Sequence, residues 1–410
     1  MDGKLLIIVV VFILFGVIMV YSATSIMCVK RACIGDSTYY LKREIARAGI
    51  ALLAMIAASH IDYRLYKKFA PVFIAIAGLL LVALTLPRFA AGSIKGANRW
   101  LNLGAANLQP SEIAKLALII FIAEYLARKR SLIGDFWKGF FPIVAIIGIF
   151  VIAIAAQPNY GMAIAIAAVA TIMLFVARAK LLHMAYIAIP AVPALIFAIM
   201  HSEHAQRRVN TFLHGGDPLG DAFQINQSLI AIGAGGIAGK GIGQGIQKLF
   251  YIPEIHTDFI FAVIGEELGF LGTTTVLVMF GLFAWRGLKI AMRAPDAFGR
   301  NLSIGLTSMI IVYATLNIGV VLKVIPTTGI PLPFISYGGS ALLVTMISCG
   351  ILLNISTHVR TPLIEHIELP ECAFDLEGID ANPDGRRRNR RTSDPGAEYC
   401  PGIVGTLSGR

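Results

Sequence analysis

Residues 5–21 read Leu5-Leu-Ile-Ile-Val-Val-Val-Phe-Ile-Leu-Phe-Gly-Val-Ile-Met-Val-Tyr21, an apolar run unbroken by any charge. A helix needs about 20 such residues to cross the hydrocarbon of a bilayer, so the run predicts a span. With one Lys before it, the run also fits a secretory leader loosely. No small-residue cleavage site is convincing before Ser22-Ala23-Thr24, and more runs of the same kind follow. The expectation is therefore an uncleaved first helix. Working outward, comparable runs lie at 44–60, 69–87, 111–127, 139–157, 160–177, 181–200, 258–285, 302–323 and 340–358. In hydrocarbon every backbone N–H and C=O has to be paired internally, so these segments are helices.

Composition agrees. Hydrophobic residues are 57% of the 410 and charged residues 14%, against roughly a quarter charged in soluble domains. Mean hydropathy is +0.75. The sequence thus predicts an all-α polytopic membrane protein of about ten transmembrane helices. The net charge of +11 needs no nucleic acid, because basic residues flank spans and meet lipid phosphates. Orientation follows from Lys and Arg in short loops. Arg64, Lys67 and Lys68, then Arg128, Lys129, Arg130 and Lys138, then Arg178 and Lys180, then Arg286, Lys289, Arg293 and Arg300 place the N-terminus, and with an even span count the C-terminus, in the cytoplasm. Lys30, Arg31, Lys42, Arg43 and Arg47 run against the rule.

The domain reading is a membrane domain over 1–360, with a large outer loop at about 201–257, and a tail over 361–410. That tail is polar, rich in Gly, Pro and Arg, and predicts disorder. Cys28 and Cys33 share the first outer loop and could pair there. Cys349 lies inside a span, where a thiol behaves as a small hydrophobe. No metal-ligand spacing is present.

Three outer segments hold polar groups where an apolar chain does not need them. In Pro253-Glu-Ile-His-Thr-Asp-Phe-Ile-Phe-Ala262, Glu254, His256 and Asp258 cluster where the long loop enters the eighth span. Glu266 and Glu267 follow two turns in, and at about 100° per residue only one of them can share the Asp258 side. Asp258 either faces a cavity or merely caps the helix start. The second segment is Asn98-Arg-Trp-Leu followed by Gln109-Pro-Ser-Glu-Ile-Ala-Lys115. Pro110 and Glu112 suit a first helical turn, and Glu112 and Lys115 are three apart, close enough to pair. Arg99 and Trp100 either anchor at the interface or grip a phosphate and a sugar. The third, Asn317-Ile-Gly-Val and Leu332-Pro-Phe-Ile-Ser-Tyr-Gly-Gly-Ser340, breaks helix where backbone lines a cavity or packs on protein. Arg207, Arg208, Lys240 and Lys248 in the long loop could bind an anion. The glycine run Gly233 to Gly245 matches neither a P-loop nor a dinucleotide fingerprint and reads as tight, flexible backbone.

Together with Gln224-Ile-Asn-Gln-Ser-Leu229 and Gly265-Glu-Glu-Leu-Gly269, these segments resemble the SEDS family (shape, elongation, division and sporulation), with motifs in family order from about residue 5 to 358. Gln247-Lys-Leu-Phe-Tyr-Ile-Pro253 and Val20-Tyr21-Ser22-Ala23 look more like its division branch than its elongation branch. One departure stands at Gln157-Pro-Asn-Tyr-Gly161, where the family often has Asp in place of Asn159. The resemblance implies a SEDS-type bundle in the bacterial inner membrane that polymerises lipid II on its outer face during septal cell-wall synthesis. It implies partnership with a class B penicillin-binding protein transpeptidase and other divisome proteins. It places the essential acid at Asp258, and a carboxylate there could take the acceptor hydroxyl proton as general base. For substrate binding the residues are Arg99, Trp100, Glu112, Lys115, Arg207, Arg208, Lys240, Glu254, His256, Ser336 and Ser340. A divalent cation, Mg or Mn, could help hold the leaving pyrophosphate, and no other cofactor is expected. The rival readings are a lipid II flippase, an elongation-branch polymerase and a non-enzymatic divisome scaffold.

Overall fold

A computed structural model describes residues 1–30, 38–84, 100–102, 107–215, 222–247 and 256–358. It is all-helical apart from one two-residue hairpin pair. Among the described residues, ten helices coincide with the ten expected spans: α1 (Gly3–Lys30), α2 (Tyr39–His60), α3 (Tyr63–Ala83), α4 (Pro110–Arg128), α5 (Phe141–Ala155), α6 (Tyr160–Val176), α7 (Leu181–Met200), α10 (Ile260–Arg293), α11 (Ala297–Val321) and α12 (Gly339–Thr357). Six of them are long and apolar enough to cross a membrane by length and composition alone, and α6 and α7 contribute shorter apolar stretches. α2 and α4 carry charges within their first turns.

Helix ends follow local chemistry. Pro110 opens α4 at a position where its missing N–H costs nothing. At the end of the bundle that holds the basic turns, Asp62 accepts from the Arg64 N–H, Asp135 from Trp137 and Lys138, and Asp296 from Gly299. Each satisfies orphan donors at a helix start. Asp135 caps a π-helical turn, Phe136–Phe140, that leads into α5.

α4, α11 and α12 form the centre, buried on nearly all sides. α2 packs along α12, α3 on α4, α11 on α4 and α6, α1 on α10 and α2, and α5 on α6. Cys349 of α12 is fully buried, as a small hydrophobe would be. The Cys28–Cys33 pairing and the expected disordered tail lie outside the described side chains and residues.

Three features depart from the sequence reading. The long outer stretch holds two helices, α8 (Glu203–His214) and α9 (Phe223–Gly235). α10 begins at Ile260, with Phe259 in the capping position, so Asp258 stands outside the helix rather than at its start. And α10 is broken at Gly269, whose backbone is left-handed (φ 65°). The break leaves backbone groups without helical partners, and the glycine run after α9 supplies them. Phe270 and Leu271 donate to the Gly236 and Ile237 carbonyls at 2.9 and 3.1 Å, and Lys240 and Gly241 donate to the Glu266 and Glu267 carbonyls at 3.0 and 2.9 Å. The run is therefore a plug seated on a broken helix and hydrogen-bonded to it across the break. Breaks at membrane depth persist where neighbouring protein re-pairs the freed groups in this way.

Candidate active site

At the end of the bundle opposite the capped basic turns, the non-helical segment 326–338 runs between α11 and α12 and meets residues of α6, α8, α11 and the turn before α10. Arg208 of α8 donates Nη1 to the Thr327 carbonyl at 3.2 Å. Gly161 of α6 packs directly on Thr328; a Cβ there would lie 2.6 Å from the Thr328 Cβ. Asn317 of α11 donates Nδ2 to the Ile330 carbonyl and to the Asp258 carbonyl, each at 2.8 Å. Tyr337 donates its N–H to the His256 carbonyl at 2.9 Å. Beyond the segment, Ser340 at the start of α12 accepts the Gln109 N–H at 3.4 Å.

Asp258 is half-buried within this frame, in the turn 256–258 that precedes α10. Its Oδ2 sits 3.7 Å from where a Cβ of Gly329 would be. His256 beside it packs in a three-ring cluster with Tyr40 of α2 and Tyr337, the ring centroids 5.3 to 5.5 Å apart. The Arg47 guanidinium lies 4.2 Å above the Tyr337 ring. Burial raises the Tyr337 phenol above its ordinary value, with the Arg47 charge opposing, so the ring stays neutral beneath its cation.

Deeper in, Lys115 and Glu112 pair at 2.5 Å, with side chains 3% and 1% exposed. The i,i+3 spacing set the pair; tertiary packing buried it. The Lys115 ammonium also rests 4.2 Å from the Tyr313 ring centroid. Two voids of about 10 Å³ flank Lys115 and Tyr313. One reaches Ser336 and Thr345, and the other is lined by apolar side chains of α4, α6 and α11.

The residues predicted for binding are thus only partly assembled. Asp258, His256, Arg208, Ser336 and Ser340 meet at or beside the 326–338 segment, and Lys115 with Glu112 lies beneath it. Ser336 Oγ accepts the Leu332 N–H at 2.8 Å, holding the turn itself. Arg207 is exposed on α8, and Trp100 is half-buried at the foot of the hairpin Leu101–Asn102 with Asn107–Leu108. Lys240 is drawn elsewhere: its ammonium lies 2.8 Å from Glu266, whose carboxylate also accepts the Ile246 and Gln247 N–H groups. Glu267 accepts from Ser22 of α1 at 2.7 Å. The two glutamates therefore brace the glycine plug and α1. Glu112 closes on Lys115 and Glu266 on Lys240, so each of these two glutamates has its own cation. Arg99 and Glu254 lie outside the described residues. Sequence reasoning did not select Tyr40, Arg47, Tyr313, Asn317 or Tyr337 as site residues. The signals were present, since Arg47 contradicts the charge rule and Asn317 is an amide in an apolar span.

A family model described as "Cell cycle protein" (FTSW_RODA_SPOVE) matches residues 3–361. A protein of Geobacter sp. (strain M18) named "Probable peptidoglycan glycosyltransferase FtsW" is 42% identical over 361 residues, covering 88% of this chain and 97% of its own length. "Stage V sporulation protein E" of Bacillus subtilis (strain 168) is 38% identical over 361 residues, covering 88% and 98%. Among solved structures, a chain described under "Structural coordination of polymerization and crosslinking by a peptidoglycan synthase complex" superposes with a TM-score of 0.67 at 25% identity, covering 87% of this chain and 97% of the other. Thermus thermophilus RodA shares the fold with a TM-score of 0.60 at 24% identity, covering 88% and 98%.

Proposed function

The chain belongs to the FtsW/RodA/SpoVE family of cell cycle proteins, and from that premise we propose that Asp258 is the general base with which this peptidoglycan glycosyltransferase extends glycan strands. The observation that carries the proposal is the placement of Asp258: a half-buried carboxylate outside the helix, its own carbonyl held by Asn317 of α11 and the His256 carbonyl held by Tyr337 of segment 326–338.

The substrate is the lipid-linked disaccharide lipid II. The acceptor sugar 4-hydroxyl attacks the donor anomeric carbon and passes its proton to the Asp258 carboxylate. The new C–O bond forms as the bond from that carbon to the lipid pyrophosphate breaks, and the pyrophosphate leaves with the electron pair. An α-linked donor and a β-linked product require inversion, hence one displacement without a sugar-enzyme intermediate. The leaving group needs cations rather than an acid. Arg208 is the best placed of the described candidates, because it reaches segment 326–338 at the Thr327 carbonyl whereas Lys115 and Lys240 pair with glutamates. Asp258 is also a carboxylate that could share a divalent cation, Mg or Mn, with the pyrophosphate, whose oxygens would complete the ligand set. Among the described residues no three His, Cys, Asp or Glu side chains stand together to hold such an ion alone.

The chain is a multi-pass membrane protein. We place both termini in the cytoplasm and the Asp258 end at the periplasmic face of the bacterial inner membrane, at the division septum. A class B penicillin-binding protein is the proposed transpeptidase partner, in company with other divisome proteins. Supports for this reading are the basic turns at the other end of the bundle and the likeness to a chain of a peptidoglycan synthase complex.

The test uses the purified chain with its partner and labelled lipid II. Asp258→Asn should fold and insert normally yet make no polymer. Polymer at the normal rate from that variant would remove Asp258 as the base.

A further inference from the structure

We infer that Asn317 is a positioning residue for the Asp258 carboxylate, acting as a two-pronged clamp that fixes the turn carrying it to segment 326–338; the inference rests on the reading of Asp258 as the base. Asn317 lies on the inner face of α11, one turn beyond Tyr313, and is 1% exposed. Its single amide nitrogen donates to two carbonyls, those of Asp258 and Ile330, both at 2.8 Å. Both acceptors belong to stretches outside any helix, so no ladder pairs them. A side chain that pairs two such carbonyls must present two N–H groups on one atom and carry no charge of its own. An amide does so, whereas Ser or Thr brings one donor, and ionised Asp brings none and repels both oxygens. The same reasoning fixes the amide's orientation, since two carbonyl oxygens demand the NH₂ side. The Asn317 Oδ1 is left buried with no hydrogen-bond partner among the described residues, which marks the nitrogen side as the working one.

A second tie runs parallel, from the Tyr337 N–H to the His256 carbonyl at 2.9 Å. The turn 256–258 is thereby held at both ends against one segment, and Gly329 of that segment leaves the space that Asp258 Oδ2 faces. Freeing the Asp258 end lets the carboxylate drift. A displacement of about 1 Å from the attacking hydroxyl costs roughly a hundredfold in rate.

The bundle contains its own control. Asn354 of α12, at the opposite end, is a buried amide clamp of the same kind. Its Oδ1 accepts the Tyr63 N–H at 2.9 Å and its Nδ2 donates to the Ser59 carbonyl at 2.8 Å. Asn317→Leu, Asn317→Gln, Asn317→Asp and Asn354→Leu are compared in the full chain with its transpeptidase partner, for melting temperature and for kcat and KM with labelled lipid II. Asn317→Leu should lower kcat by roughly 10- to 100-fold with KM little changed, and Asn317→Gln, which keeps both N–H groups, should recover part of the loss while Asn317→Asp does not. Asn354→Leu should lower the melting temperature comparably and leave kcat near wild type. Equal kcat for the two Leu variants would overturn the inference. Should Asn317→Leu be recovered unfolded, Asn317→Ser, which keeps one donor, carries the same comparison. An active Asp258→Asn sinks the underlying reading whatever Asn317 does. An inactive Asp258→Asn beside a fully active Asn317→Leu sinks the clamp alone.

Discussion

Replacing Gly239 by alanine tests whether the glycine run is a seated plug. Gly239 and Gly243 both have left-handed backbones, at φ +79° and +84°. Alanine at either one takes on the strain of that region, about 1–2 kcal/mol. Their surroundings differ. Around Gly243 a Cβ meets nothing within 4 Å, whereas at Gly239 it collides with the carbonyl carbon and oxygen of Glu267 and the carbonyl carbon of Leu268, all backbone. Backbone cannot swing aside as a side-chain tip can. The run must lift off the α10 break, and that strains the bonds from the Lys240 and Gly241 N–H groups to the Glu266 and Glu267 carbonyls. Overpacking adds about 1–3 kcal/mol, and two lost bonds about 1 kcal/mol each. The expected totals are thus roughly 4–7 kcal/mol for Gly239→Ala against about 1–2 kcal/mol for Gly243→Ala. Thermal unfolding of the purified chain in detergent, followed by tryptophan fluorescence, reads the difference. At about 2–4 °C per kcal/mol, Gly239→Ala should melt roughly 6–20 °C below Gly243→Ala. If the two variants melt within about 2 °C of each other, the plug does not exist as described, and the run is the loose backbone that its composition suggests.

Two further outcomes follow from buried charge. Lys115→Met leaves the Glu112 carboxylate buried without its cation and should cost about 3–5 kcal/mol, whereas Glu112→Gln combined with Lys115→Met should recover most of that loss; a double-mutant cycle of melting temperatures decides, and equal melting of the single and double variants refutes it. Asp2, at the opposite end of the bundle, pairs with Arg286 at 2.6 Å. Burial pushes its carboxyl up, but the hydrogen bond and charge of Arg286 and the Leu5 and Lys4 N–H groups more than offset that, so its value falls below 3.8. A depressed carboxyl stabilises the fold above 3.8, and that contribution fades as pH falls through the folded value. The melting temperature should therefore drop more between about pH 5 and pH 3 in the wild type than in Asp2→Asn; parallel curves would show that the pair adds nothing.

How much of the site was legible depends on how far apart its partners lie in the chain. The Glu112–Lys115 pair was readable because helical spacing puts residues three apart on one face. The helix break at 326–338 was readable because Pro and Gly lack the donor or the rigidity that a helix needs. Asp258 was found as an acid at the edge of an apolar run, but its separation from Glu266 and Glu267 followed from where α10 starts and breaks. Lys240 looked like an anion ligand until its ammonium was seen on Glu266, 26 residues away. Asn317 reaches 59 residues back to Asp258, and Ser22 reaches Glu267 across 245.

The sequence by itself determined the solvent and the element type, because in hydrocarbon a long apolar stretch has no arrangement open to it but a self-paired helix. It also determined the span order and, through the motifs, the family. Which helix faces which, where α10 breaks, and which polar groups work rather than brace were decided only by tertiary packing. Periodicity along a helix reports that a face is buried and not what buries it; the partner comes from a distant part of the chain, and its hydrogen bonds exist only once the bundle has closed.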